Sequence, residues 1–303
     1  MKRMRHAMVG VGVAAMAALV APTAAHAFVR TQTTDGSPIY WKATCPTVVL
    51  SPIENADYDQ ARLEATVRAA MEQWNAAADG KAKMKLVLSG VDSKPRDAAY
   101  DGVNAILWRL PGFCDDAANE LVAACANPSA AATTTVFFVD KDGASDNGQI
   151  LEADIAVNAT SMRFDDSGKA GFIDLPSVMT HELGHFIGLD HTCMATRSGE
   201  RLLDHARQAV PFCFPLSQLD DRVRQATMFN FTEPGQVDKR HLSDDDVLAI
   251  QTVYAGELTK CESGSGKGGL GCSASPQKVG WAAALPGVGA LLGLLLWARR
   301  RRR

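Results

Sequence analysis

The chain has no CxxC pair, no basic excess and, between residues 28 and 262, no apolar run long enough to span a bilayer. Each absence removes a class of protein. The seven cysteines, at 45, 114, 125, 193, 213, 261 and 272, are too scattered for a zinc site built of cysteine pairs. Acidic residues are missing from both ends: all 34 Asp and Glu fall within 28–262, beside 21 of the 31 Lys and Arg. That stretch therefore carries a balance of −13. So acidic a surface repels phosphate backbones, and no nucleic-acid partner is expected.

What is present at the two ends reads as addressing. Lys2, Arg3 and Arg5 precede an apolar run from Ala7 to Ala21, and Ala25-His26-Ala27 supplies small residues at a cleavage position. This is the layout of a secretory signal peptide over 1–27, cleaved after Ala27. Residues 263–278 are rich in Gly and Ser and predict a linker that buries no core. Val279–Ala298 then runs for 20 residues without a charge, and Arg299–Arg303 closes the chain. Such a run suffices to cross a membrane, with the arginines held on the cytoplasmic side. With Gly271-Cys272 ahead of it, the tail resembles the myxobacterial C-terminal sorting signal (MYXO-CTERM). The resemblance implies processing near Cys272, at least transient membrane contact, and delivery to the cell surface or release.

An exported domain over 28–262 makes disulfides the default use of its cysteines. Six remain when Cys272 is set aside, which permits 15 pairings. Cys114–Cys125 and Cys193–Cys213 are favoured because each closes a short local loop. Strands are expected over 40–51, 84–91, 102–110, 133–140 and 150–158, from β-branched or alternating residues and their punctuation. Helices are expected over 59–78, 175–187 and from Ser243 to about Tyr254. Leu63, Val67, Met71 and Trp74 form the apolar stripe of the first, with Asp57 or Asp59 as its cap. Asp174 starts the second, and Ser243 with Asp246 caps the third. Residues 192–227 lack periodicity and read as a long functional loop. The fold class is α+β, a mixed sheet packed on helices.

The chemistry concentrates in THELGHFIGLDHTCM, residues 180–194. His181 and His185 are four apart and project from one helix face, where two imidazoles can grip one zinc ion. Glu182 then lies toward the metal's water, whose pKa zinc lowers, and can take its proton. Gly188 lets the helix stop and the chain turn, bringing His191 back as a third ligand. Three ligands leave a coordination position open, the mark of a catalytic site. His205 and His241 have no spacing partners and read as surface residues.

HELGHFIGLDH (181–191) resembles the HExxHxxGxxH pattern of metzincin zinc endopeptidases. The resemblance implies a metzincin-like zincin fold, a twisted mixed sheet packed on the active-site helix with a C-terminal helix. It also implies a methionine-bearing turn under the metal, for which Ala226-Thr227-Met228-Phe229 makes Met228 the candidate. Thr192 after the third histidine and HLSDDDVLAIQTVYAG (241–256) are closest to the matrixin branch, the matrix metalloprotease type. Ala249 stands where that branch usually has glycine. No PRCGxPD propeptide motif occurs, so latency by a cysteine switch is not expected.

Two further expectations are weaker in pattern. DKDGASDNGQILE (140–152) is acidic and Gly-rich, as calcium loops are, although its Gly and Glu miss the EF-hand positions; a plain solvated turn is the other reading. By the resemblance, 150–158 would be the edge strand that pairs with substrate main chain. The expected activity is zinc-dependent hydrolysis of protein or peptide substrates, with Glu182 as base. The alternative is a surface module that holds zinc without turnover, which would have no need of Glu182.

Overall fold

The computed structural model describes residues 28–53, 58–110, 129–196 and 201–261. The signal segment 1–27, the linker, the apolar run with its arginines, Cys114, Cys125, Asp57 and Cys272 lie outside them. Among the described residues no helix is long and apolar enough to cross a membrane.

The strands are β1 (Val29–Arg30), β2 (Tyr40–Trp41), β3 (Thr47–Leu50), β4 (Val87–Val91), β5 (Asn104–Arg109), β6 (Ala132–Phe138), β7 (Gln149–Asn158), β8 (Phe164–Asp165), β9 (Ile173–Asp174) and β10 (Leu189–Asp190). The helices are α1 (Gln60–Ala78), α2 (Leu175–Phe186), α3 (Asp221–Gln225) and α4 (Asp244–Val253). Six strands form one sheet in the order β2-β7-β5-β3-β4, with β6 also paired to β7. Every pairing in it is parallel except β6 with β7. The architecture is mixed α and β, as the composition of the elements predicts, with parallel pairing dominant.

Two expectations are corrected. The single strand over 40–51 is two strands with different partners, because Lys42–Pro46 turns the chain between them. Pro46 has no N–H to give to a ladder, and Cys45 beside it is bonded to Cys261 with Cα atoms 5.4 Å apart. The strand at 150–158 is not an edge. β7 lies inside the sheet, paired with β5 and β6, and the antiparallel β6 is the outer strand.

One face of the sheet buries the helices. Leu63, Val67, Met71 and Trp74 of α1 are all nearly inaccessible, as their spacing predicts, and Asp59 caps the helix by accepting from Arg62 N at 2.7 Å. Trp74 fixes α1 to α2, donating Nε1–H to Thr180 O at 2.9 Å from within the core. On the opposite face two acids of β7 are buried. Glu152 accepts from Asp101 N and Gly102 N, and Asp154 from Ala99 N and Ala105 N. They replace missing ladder partners for the 99–105 backbone. Burial, together with the neighbouring Glu152 and Asp101, pushes Asp154 up to about 7 against its backbone donors.

The described residues of the 192–227 segment, 192–196 and 201–227, are less open than their lack of periodicity suggests. The Cys193–Cys213 disulfide closes a 20-residue loop, as expected from its short span, and α3 follows it. The two sulfurs, Leu219, Val223 and Phe229 make a small core of their own. That core is why the segment holds a shape without helical or strand periodicity.

Candidate metal centre and its surroundings

Helix α2 carries the first two histidines. Asp174 starts it by accepting from Ser177 N at 3.0 Å, and Pro176 sits in the first turn where no intrahelical N–H is required. The helix stops at Gly188, whose φ of 89° suits glycine and whose N–H returns to His185 O at 2.9 Å. Strand β10 then pairs with β1 and aims His191 back at α2.

The three imidazoles converge. His191 Nε2 stands 3.3 Å from His181 Nε2 and 3.1 Å from His185 Nε2. Among the described residues this is the one group of three or more His, Cys, Asp or Glu side chains placed to hold an ion. The outer nitrogens settle the tautomers: His181 Nδ1 donates to Thr227 O at 2.7 Å and His185 Nδ1 to Leu189 O at 2.9 Å. Their Nε2 atoms therefore face the cluster. Burial first, and neighbouring positive charge second, pushes His181 and His191 well below the ordinary imidazole pKa. His191 Nε2, within hydrogen-bonding distance of both helix imidazoles, completes a set of three ring nitrogens gathered around one point. The donor set is thus suited to a divalent ion that favours imidazole, zinc foremost.

Glu182 is buried, and Thr134 Oγ1 on β6 donates to its Oε2 at 2.6 Å. Burial raises its pKa above the usual carboxylate value, while His185, the Thr134 hydroxyl and Lys239 draw it back. Met228 lies under α2. The turn that carries it is closed by Phe229 N donating to Ala226 O at 3.0 Å, and Met228 O receives Thr192 N at 3.2 Å. Met194, by contrast, is half-buried and bridges to Phe212 in the disulfide loop.

Four contributors escape the motif. Asp246, expected only as a helix cap, also accepts from Thr227 N at 2.8 Å and from Met228 N at 3.3 Å, so it pins the turn under the histidines. A carboxylate has more acceptor sites than a cap uses, which is the signal that could have found it. Lys239 is buried, donates Nζ–H to Phe229 O and, at 2.7 Å, to Phe231 O, and is pushed down to about 8 chiefly by burial. Arg240 beside it anchors the 3-10 turn Asp238–Arg240 to α2, donating Nε–H to Asp174 at 2.9 Å. Neither lysine nor arginine has a distinguishing sequence pattern. Thr134 is the fourth, one of a run of three threonines.

The remaining expected sites are placed as follows. His205 is exposed and stacks on Phe28, and His241 is exposed beside Gln73. In 140–152, Asp140 accepts from Thr34 Oγ1 at 2.6 Å and Asn147 Oδ1 from Lys141 N at 2.8 Å. The loop is thereby tied to 31–37, and its acids form no ligand cluster among the described residues.

A scan of the chain with protein-family models finds no match, and a search of curated proteins finds none either.

Proposed function

We propose that the chain is an exported zinc-dependent endopeptidase of the metzincin type, closest to the matrixin branch. The observation that carries this reading is the convergence of His181, His185 and His191 Nε2 with Glu182 buried beside them. The likeness of 181–191 to the metzincin pattern, with Met228 packed under α2, supports the zincin fold.

His181, His185 and His191 would hold the ion through Nε2. Bound there, zinc would supply a Lewis acid for water and for the scissile carbonyl. Glu182 takes the water's proton and returns it to the departing amine nitrogen, so the carboxylate is base and then acid. A raised pKa suits that double task. The outer strand β6 offers main-chain groups to an extended substrate, which adds to the sheet as a further strand. This role passes to β6 from 150–158, whose strand is interior.

The test is cleavage of an unfolded protein by the zinc-loaded 28–262 domain, by the same domain after chelation, and by Glu182→Ala. Activity only in the first supports the reading. A folded, zinc-loaded wild type that cleaves no substrate would favour a surface module that retains zinc without turnover.

A further inference from the structure

Thr134 is the middle residue of the run Thr133-Thr134-Thr135 on the outer strand. Strand alternation sends only one of the three toward the helices. In register Thr134 faces Ile155, a residue of the main core, while Thr133 and Thr135 face Ala156 and Asp154 on the opposite side of the sheet. The Thr134 hydroxyl reaches α2 there. It donates to Glu182 Oε2 at 2.6 Å and lies 3.2 Å from Glu182 O. No salt bridge engages Glu182 among the described residues.

We propose that Thr134 is the positioning residue of the Glu182 base, and that it links the substrate-pairing strand to the base's orientation. The proposal rests on the peptidase reading for its functional half. A carboxylate on a two-carbon stem rotates freely unless one oxygen is fixed. With Oε2 held by Thr134, Oε1 remains for the proton that is moved. A charge-assisted hydrogen bond of 2.6 Å is among the stronger ones available to a neutral donor. Threonine also suits the task sterically, because a β-branched side chain on a strand has few χ1 choices. The consequence is mechanical. Substrate that adds to β6 steadies the strand whose hydroxyl fixes the base, so binding and base alignment share one element. Substrate main chain and Glu182 are then addressed by the same strand.

The experiment pairs kinetics with a measurement that needs no metal. Thr134→Val keeps the shape and removes the donor; Thr134→Ser keeps the donor. In the zinc-loaded domain, Thr134→Val should lose roughly ten-fold or more in kcat with KM within about two-fold, since misalignment acts on the reacting step. Thr134→Ser should retain kcat within about three-fold, and bound zinc should be unchanged in both. A Thr134→Val variant with wild-type kcat overturns the proposal, as does Thr134→Ser falling as far as Thr134→Val. In the metal-free domain, a double-mutant cycle of Thr134→Val with Glu182→Ala, which removes the acceptor, should show non-additivity on urea unfolding. Additive effects overturn the contact whatever the activity. If wild type hydrolyses no peptide, the peptidase reading fails, while the metal-free cycle still decides whether Thr134 holds Glu182.

Discussion

Gly184 and Met228 are fitted to each other: a Cβ at position 184 would lie 2.2 Å from Met228 Sδ and 3.1 Å from Trp74. Glycine in the middle of α2 costs helix stability, about 1 kcal/mol relative to alanine. Here it admits the thioether against the helix that carries two of the histidines. Gly184→Ala should therefore destabilise the domain, by roughly 1–3 kcal/mol from overpacking, despite alanine's better helix propensity. Urea unfolding reads the loss, and adding Met228→Ala should recover part of it.

Chelation should lower the unfolding midpoint of the zinc-loaded domain, and added zinc should restore it. At zinc a thousand-fold above Kd the linkage is worth about 4 kcal/mol. His191→Ala should remove most of that response while leaving the metal-free protein folded, because His191 follows β10, beyond the helix. Calorimetry of both proteins with and without zinc checks this.

Asp246 joins α4 to the turn under the histidines through Thr227 N and Met228 N. Asp246→Ala should leave two buried backbone donors unpaired and cost about 2–4 kcal/mol. Weaker zinc binding should accompany the loss, since Thr227 O is the partner of His181 Nδ1. Competition with a chromogenic chelator measures the affinity.

The acid pair behind the sheet gives a pH signature. An aspartate in the unfolded chain titrates near 4, whereas Asp154 in the fold titrates at about 7. Between those values the folded protein keeps a proton that the unfolded chain has released, so this group's contribution to stability falls as pH rises from about 4 to about 7. Asp154→Asn should remove that slope. Its amide shifts the curve by a constant, so the difference between wild type and variant across pH 4.5–7.5 is the readout; parallel curves would contradict the assignment.

Reduction should loosen the segment next to His191. Closing a 20-residue loop is worth about 3 kcal/mol in the chain-entropy account. Cys193→Ala with Cys213→Ala should lower the unfolding free energy by about that amount, with Cys45–Cys261 left intact. Urea unfolding of the double variant under oxidising conditions tests it.

Much of this centre was legible because its logic is local. The i, i+4 histidines, the Gly188 stop and the return to His191 depend on helix geometry and one positive φ, both written in consecutive residues. The capping residues Asp174 and Ser243 were legible for the same reason, and Asp59 as one of two candidates with Asp57. What escaped depends on register and on partners far along the chain. Thr134 meets Glu182 across 48 residues, and nothing in a run of three threonines says which one faces inward until β6 is paired. The strand over 40–51 broke because Cys45 answers to Cys261, 216 residues away. The sheet edge was misassigned because alternation along one strand does not reveal how many neighbours it has.

The Cys45–Cys261 bond also decides where the domain carries load. Cys261 is the last described residue, and it is covalently joined to the turn between β2 and β3. Tension applied from the chain beyond it passes through that bond to the start of β3, a strand flanked on both sides by parallel neighbours. Residues 254–260 and α4 are bypassed as by a tether clipped ahead of them. Pulling at the exit therefore loads the sheet first and spares the helix whose Asp246 steadies the turn under the histidines.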